Sequence, residues 1–241
     1  MKSIARLIVG GGLALSAASA IAVPYHYVDW DSVDPGAGTA SGVITLPDAS
    51  TVTVGFKAIN PDGSAGSFKF GQTGCGTNYW NPSTPYISAQ VDNAPPNCEL
   101  LALIGGQNQI YQVSLSEAIK DPIMAIVSLG QSGVPTTYDF DSPFDIVSQG
   151  AGFWGGGPSA LQELAGDVLR GNEGHGTIQF IGTFADFSWT VPTPEDWHGF
   201  TFGIRTTLAI EPNQPVPEPS SLALIGLGLA GLALRRRRVG R

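Results

Sequence analysis

Thr51-Val52-Thr53-Val54-Gly55-Phe56-Lys57 alternates, with Val52, Val54 and Phe56 on one face and Thr51, Thr53, Gly55 and Lys57 on the other, and the run ends at Asn60-Pro61-Asp62-Gly63. A period of two with β-branched and aromatic residues on the apolar side marks a half-buried strand, and the Pro-Asp-Gly cluster closes it with a turn. The same pattern extends outward in both directions. Residues 25–32 place His26, Val28 and Trp30 on one face and Tyr25, Tyr27, Asp29 and Asp31 on the other, then break at Asp34-Pro35-Gly36. Apolar runs predict further strands over 100–104, 110–115, 123–129, 136–140, 177–181, 184–190 and 200–210. Residues 159–169 alone have a helical spacing, with Leu161, Leu164, Ala165 and Val168 at i, i+3, i+4 and i+7. Many short strands between turns, with one helix at most, predict an all-β protein, a single β-sandwich or jelly-roll-like domain over residues 23–213. The 32 glycines and 18 prolines among 241 residues stay below the roughly 25–30% that marks low-complexity disorder.

Both ends of the chain read differently from this body. Lys2 and Arg6 precede an apolar stretch over 7–18, and Ala20-Ile21-Ala22 offers a small-residue cleavage site. Residues 1–22 therefore read as a secretory signal peptide, with the mature chain starting near Val23 or, by a cut after Ala20, slightly earlier. At the other end, Pro215, Pro217 and Pro219 alternate with Gln214, Val216 and Glu218, which favours a stiff, extended peptide. From Ser220 to Leu234 no residue is charged. As a helix at about 1.5 Å per residue, this run is somewhat short of a comfortable membrane span. The arginines Arg235, Arg236, Arg237 and Arg238, with Arg241 beyond them, are what a stop-transfer segment carries and a buried core helix does not. Gly226-Leu227-Gly228-Leu229-Ala230-Gly231 spells a dinucleotide-binding fingerprint, but the required acidic residue about 20 positions on is missing. Gly226 and Ala230 instead suit close helix approach in lipid.

Val216-Pro217-Glu218-Pro219, two serines, a Leu/Ala/Gly-rich run and a terminal arginine cluster together resemble the PEP-CTERM sorting signal of Gram-negative bacteria that make exopolysaccharide. The resemblance implies a sorting segment over 214–241, made of the motif 216–219, a transmembrane helix over 220–234 and a basic tail over 235–241. It further implies recognition at Pro217, Glu218 and Pro219 by exosortase, a membrane cysteine transpeptidase, while the protein is held in the inner membrane. Delivery to the cell surface or biofilm matrix would follow. From residue 123 to 204, strings such as Gly176-Thr177-Ile178 and Phe200-Thr201-Phe202-Gly203 have a looser likeness to exported bacterial β-sandwich surface domains.

Setting the terminal segments aside leaves Lys57, Lys69, Lys120, Arg170 and Arg205 against 19 acids, a net charge of about −14. That balance keeps an exported body soluble and disfavours nucleic acid, whose binding depends on Lys and Arg neutralising phosphates. It is compatible with calcium. Asp139, Asp141 and Asp145 offer clustered oxygen ligands, although Phe144 and Gly150 occupy the positions where an EF-hand needs Gly and Glu. Solvent-facing strand acids account for the same pattern.

Cys75 and Cys98 are the only cysteines, and in an exported chain a pair is most simply a disulfide. The loop it would close contains Asn78, Tyr79, Trp80, Asn81 and Tyr86. Tyr79 and Trp80 could stack on sugar rings while the amides bond hydroxyls, or they could pack the loop onto the sandwich. His26, His175 and His198 share no motif, and there is no His-Glu-x-x-His, Gly-x-Ser-x-Gly or Walker phosphate loop. No catalytic residue is assigned, and the chain reads as a non-enzyme with a structural or adhesive role in exopolysaccharide or biofilm. The alternatives are a lectin-like carbohydrate-binding module and an extracellular glycan hydrolase, whose paired carboxylates need not be close in sequence.

Overall fold

The computed structural model describes residues 24–205. The signal peptide over 1–22, the sorting motif at Val216, Pro217, Glu218 and Pro219, the span over 220–234, the arginines that follow it and the strand expected over 206–210 lie outside the described residues. Among the described residues no helix is long and apolar enough to cross a membrane.

In chain order the strands are β1 (His26–Tyr27), β2 (Asp29–Asp34), β3 (Thr39–Thr45), β4 (Thr51–Ile59), β5 (Phe70–Gln72), β6 (Leu100–Gly105), β7 (Ile110–Lys120), β8 (Ile123–Leu129) and β9 (Thr136–Phe140). They continue with β10 (Phe144–Gln149), β11 (Ala151–Gly152), β12 (Gly155–Gly156), β13 (Leu161–Leu164), β14 (Val168–Gly171), β15 (Gly174–Phe180), β16 (Thr183–Thr190) and β17 (Glu195–Ile204). A 7-stranded sheet runs β10-β15-β8-β17-β6-β5 with β1 added on β17, and an 8-stranded sheet runs β13-β14-β9-β16-β7-β4-β3-β2. The two pack face to face as a β-sandwich, and every pairing is antiparallel. Val52, Val54 and Phe56 enter the core as the alternation requires, beside Trp30, Trp189, Phe187, Phe200 and Phe202.

The alternation over 25–32 is shared between both sheets. Tyr27 pairs with Gly203 in one sheet and Asp29 with Val43 in the other, so the chain changes sheets at Val28, which is fully buried like Trp30. The helix expected over 159–169 is not formed. Leu161 pairs with Gly171 and Leu164 with Val168, making a hairpin whose turn uses left-handed backbone at Gly166 (φ 81°) and Asp167 (φ 60°). Leu161 and Leu169 face the core while Leu164 is 42% exposed, so the helical spacing had no common apolar face behind it.

β8 is buried at all seven positions, and the reason positions the site. Met124 and Ile126 point into the inter-sheet core, whereas Ala125 and Val127 point to the outer face and join a second cluster with Trp80, Tyr86, Leu100 and Ala102. The segment closed by the Cys75–Cys98 disulfide therefore covers the outside of the sheet, which is why β8 reads as a continuous apolar run instead of an alternating one. At Ser128 (φ 59°) the strand bulges against β15, and Leu129 returns to the inner core.

Candidate ligand-binding surface

The disulfide expected from the two cysteines is present, with the Cα atoms 4.2 Å apart. It staples a segment whose regular structure is confined to one 3-10 turn, Thr84–Tyr86. Within that segment neighbouring aromatics have opposite fates. Trp80 is 3% exposed, donates its indole N–H to the Glu99 carbonyl at 3.2 Å and meets the Tyr86 ring edge-on at 5.1 Å. Trp80 is thus a packing residue with no face to offer a ligand, which corrects the stacking role considered for it. Tyr79 is half-buried and lies at the surface.

Tyr79 is the middle of a row. Its ring is 5.2 Å from Trp197 on one side and 5.2 Å from Phe153 on the other; Trp197 continues to Phe70 at 6.0 Å, and Phe153 to Trp154 at 4.9 Å. Trp197 points outward because β17 is bulged against β6 between Glu195 and His198, leaving those two side chains buried on the other face. Phe153 and Trp154 are the two-residue tip of the β11–β12 hairpin. They are 37% and 57% exposed. The left-handed backbone of this tight hairpin falls on Gly155 (φ 107°) and Gly156 (φ 73°), which frees the tip for bulky residues.

The hairpin is seated on His175. A Cβ at Gly152 would overlap the imidazole, and one at Gly156 would overlap the Glu173 carbonyl. His175 is fully buried; its Nδ1 meets the Tyr86 hydroxyl at 3.2 Å and accepts from the Ser128 N–H at 3.4 Å. Burial holds the Tyr86 phenol well above its ordinary pKa, so it stays a proton donor. With Nδ1 accepting, the imidazole proton sits on Nε2, 3.6 Å from Glu173 Oε1. Glu173 Oε1 accepts the Ser128 hydroxyl at 2.6 Å, while the buried His175 Nε2 has no hydrogen-bond partner among the described residues. Ser128 and Glu173 both have φ 59°, a conformation that costs non-glycine residues and persists where neighbours hold it.

Two recesses flank the turn after β8. One, of about 440 Å³, is lined by Trp154, Pro158, Ser159, Asn172 and Glu173. The other, of about 340 Å³, is lined by Gln107, Gln131, Thr136, Glu195 and Asp196. Glu195 is buried there, its Oε2 2.8 Å from His198 Nδ1 and accepting the Gly130 N–H at 3.1 Å. Gly130 joins the two sides, since its carbonyl accepts the Glu173 N–H.

The candidate calcium ligands are not brought together. Asp139 lies on β9 in one sheet and Asp145 on β10 in the other. Asp141 spends both oxygens on hydroxyls and an amide, with Oδ1 on Ser142 and Oδ2 on Ser188. Among the described residues no three His, Cys, Asp or Glu side chains gather as a metal site. The disulfide was legible in the sequence, and Tyr79 lies at the surface as a contact residue would, whereas Phe153, Trp154, Trp197 and Glu173, which share this surface, carried no motif of their own. A signal was available for Phe153 and Trp154, because adjacent aromatics bracketed by Gly150, Gly152, Gly155, Gly156 and Gly157 have no strand period that buries both.

The profile of the PEP-CTERM protein-sorting motif matches residues 215–238. No curated protein and no solved structure matches the chain significantly. The motif supports an exported protein sorted by exosortase and membrane-anchored during sorting in a Gram-negative bacterium.

Proposed function

We propose that this protein is a non-catalytic surface or matrix adhesin that holds exopolysaccharide through its aromatic row, combining the structural role with lectin-like binding. The observation that carries the reading is the row itself. Five aromatic rings with neighbouring centroids 4.9–6.0 Å apart meet one another on the outer side of the sheet, Phe153 and Trp154 exposed and Phe70, Tyr79 and Trp197 partly buried against the cluster beneath, and aromatic rings offer a sugar apolar contact with a polar edge. The export and exosortase sorting that the motif supports agree with a partner outside the cell. The recess at Trp154 has one lining carboxylate, Glu173, whereas glycoside hydrolysis uses a pair. The other recess has two, Glu195 and Asp196, but Asp196 is engaged by Lys69 at 2.6 Å and Glu195 is buried on the Gly130 N–H, which favours binding over cleavage.

The test is cosedimentation of the exported protein, purified from its host, with that host's exopolysaccharide, with and without calcium, while released sugars are assayed. Retention without sugar release, lost in Tyr79→Ala/Trp197→Ala, is the expected result. Sugar release would make the protein a hydrolase, and absence of retention would overturn the adhesive reading.

A further inference from the structure

We propose that the recess beside Trp154 is a subsite for one neutral, equatorially substituted pyranose of the polymer, stacked on the indole and hydrogen-bonded by Asn172 and Glu173. This rests on the glycan-binding reading above and adds the class of sugar and the residues that select it. The cavity, at about 440 Å³, is in the size range of small-molecule sites. Its wall is a tryptophan 57% exposed, carried on a hairpin fitted to the protein beneath it by glycines at the two points of contact.

Two polar side chains line the same recess and are held by neighbours. Asn172 Oδ1 accepts the Gly133 N–H at 2.8 Å, which fixes the amide and turns its N–H₂ group to donate. Glu173 Oε1 is held by the Ser128 hydroxyl and faces His175, so Oε2 remains as an acceptor with no partner among the described residues. A fixed donor beside a fixed acceptor matches two neighbouring hydroxyls, each of which can accept and donate. Left-handed backbone at both Ser128 and Glu173 concentrates strain at this carboxylate, as ligand sites often do.

Charge decides which sugar. The site carries a carboxylate on a body with a large excess of acids, and Lys69, the cation next to Phe70, is engaged by Asp196 at 2.6 Å. Uronates and sulfated sugars are repelled, and so is an anionic lipid surface, the other environment an exposed aromatic hairpin could meet. A pyranose with equatorial hydroxyls has the apolar ring face that an indole plane accepts.

The experiment is titration of the full exported protein, followed by tryptophan fluorescence and calorimetry, with cellohexaose, chitohexaose and a hexagalacturonate, and separately with phosphatidylglycerol-containing vesicles. Expected is saturable binding of a neutral hexaose, none of the uronate, and at least tenfold weakening in Trp154→Ala, Asn172→Ala and Glu173→Gln. Trp154 is exposed, so its alanine variant folds; Ile110→Ser, an exposed change on the other sheet, serves as the control that binds normally. Neutral hexaose binding unchanged in Trp154→Ala, tighter binding of the uronate, or adsorption to vesicles without hexaose binding would each overturn the subsite. Exopolysaccharide retained by a protein that binds neither neutral hexaose removes the subsite and leaves the adhesive reading standing; loss of both removes the two together.

Discussion

The Gly152 backbone lies so close over the His175 imidazole that a Cβ at position 152 would overlap the ring's Cγ and Nδ1. The exposed tip of the hairpin and the buried centre of the site are thereby one mechanical unit. His175 is fixed from below by Tyr86 and Ser128, and it fixes in turn the height at which Phe153 and Trp154 stand.

Gly152→Ala tests that coupling. Overpacking a tight contact costs about 1–3 kcal/mol, and the hairpin can relieve it by lifting from His175. The expected outcome is a lowered Tm, faster proteolysis between residues 151 and 157, and loss of polysaccharide retention in protein that is still folded. Wild-type proteolysis and retention in this variant would show that the hairpin is not held by its fit to the imidazole.

The strand positions of this fold were legible wherever burial follows a single period. Residues 123–129 and 136–140 match β8 and β9 to the residue, since one is covered on both faces and the other alternates. The hairpin at 161–171 was misread because Gly166 and Asp167 break the chain inside an apparent 3.6-residue period. The short β5 and the edge pieces β11 and β12 lack enough residues to show a period at all. Within the site, Tyr79 and Trp80 could not be separated from sequence, because an irregular loop has no face rule, and the bulge that turns Trp197 outward is a property of its pairing with β6.

That difference between neighbours gives a second prediction. Trp80→Ala removes a buried ring from the cluster covering β8, and such truncations cost roughly 3–5 kcal/mol. Tyr79→Ala removes a half-buried ring that touches Phe153 and Trp197, so it should cost less than Trp80→Ala, about 1–3 kcal/mol, while reducing retention. Urea unfolding of both variants, beside retention measured on the folded fraction, separates the roles. A stability loss for Tyr79→Ala equal to that of Trp80→Ala would contradict the assignment.

The disulfide gives a third. Cys75 and Cys98 are 23 residues apart in sequence, and closing a loop of that size stabilises by roughly 3 kcal/mol in the chain-entropy model. Cys75→Ser/Cys98→Ser should lower the Tm to the value that the wild type shows under reductant. It should also expose Trp80 to quenchers, because the stapled segment is the cover of the outer sheet face. Free thiols in the native protein, or an unchanged Tm, would deny the staple its role.

The fourth concerns Glu99, which lies next to Cys98 and is 6% exposed. Its Oε2 accepts the Trp30 N–H at 2.8 Å. Burial raises its pKa above the ordinary 4.5, with Asp29 and Asp31 adding to the rise and the Trp30 hydrogen bond opposing it. The folded protein therefore holds this proton more tightly than the unfolded chain does. Its contribution to stability is fully present below about pH 4.5 and is lost as pH rises through the folded value. Carboxylates with lowered pKa values, Asp48 and Asp62, act in the opposite sense and lose their contribution as pH falls. The total pH profile mixes these signs, so the informative quantity is the difference between wild type and Glu99→Gln. Glutamine still accepts from Trp30 and does not titrate, so any fixed cost of the substitution shifts the difference without changing its slope. Urea unfolding at pH 4, 5.5 and 7 should show the variant gaining on the wild type as pH rises. Parallel profiles would mean that Glu99 titrates alike in the folded and unfolded chains.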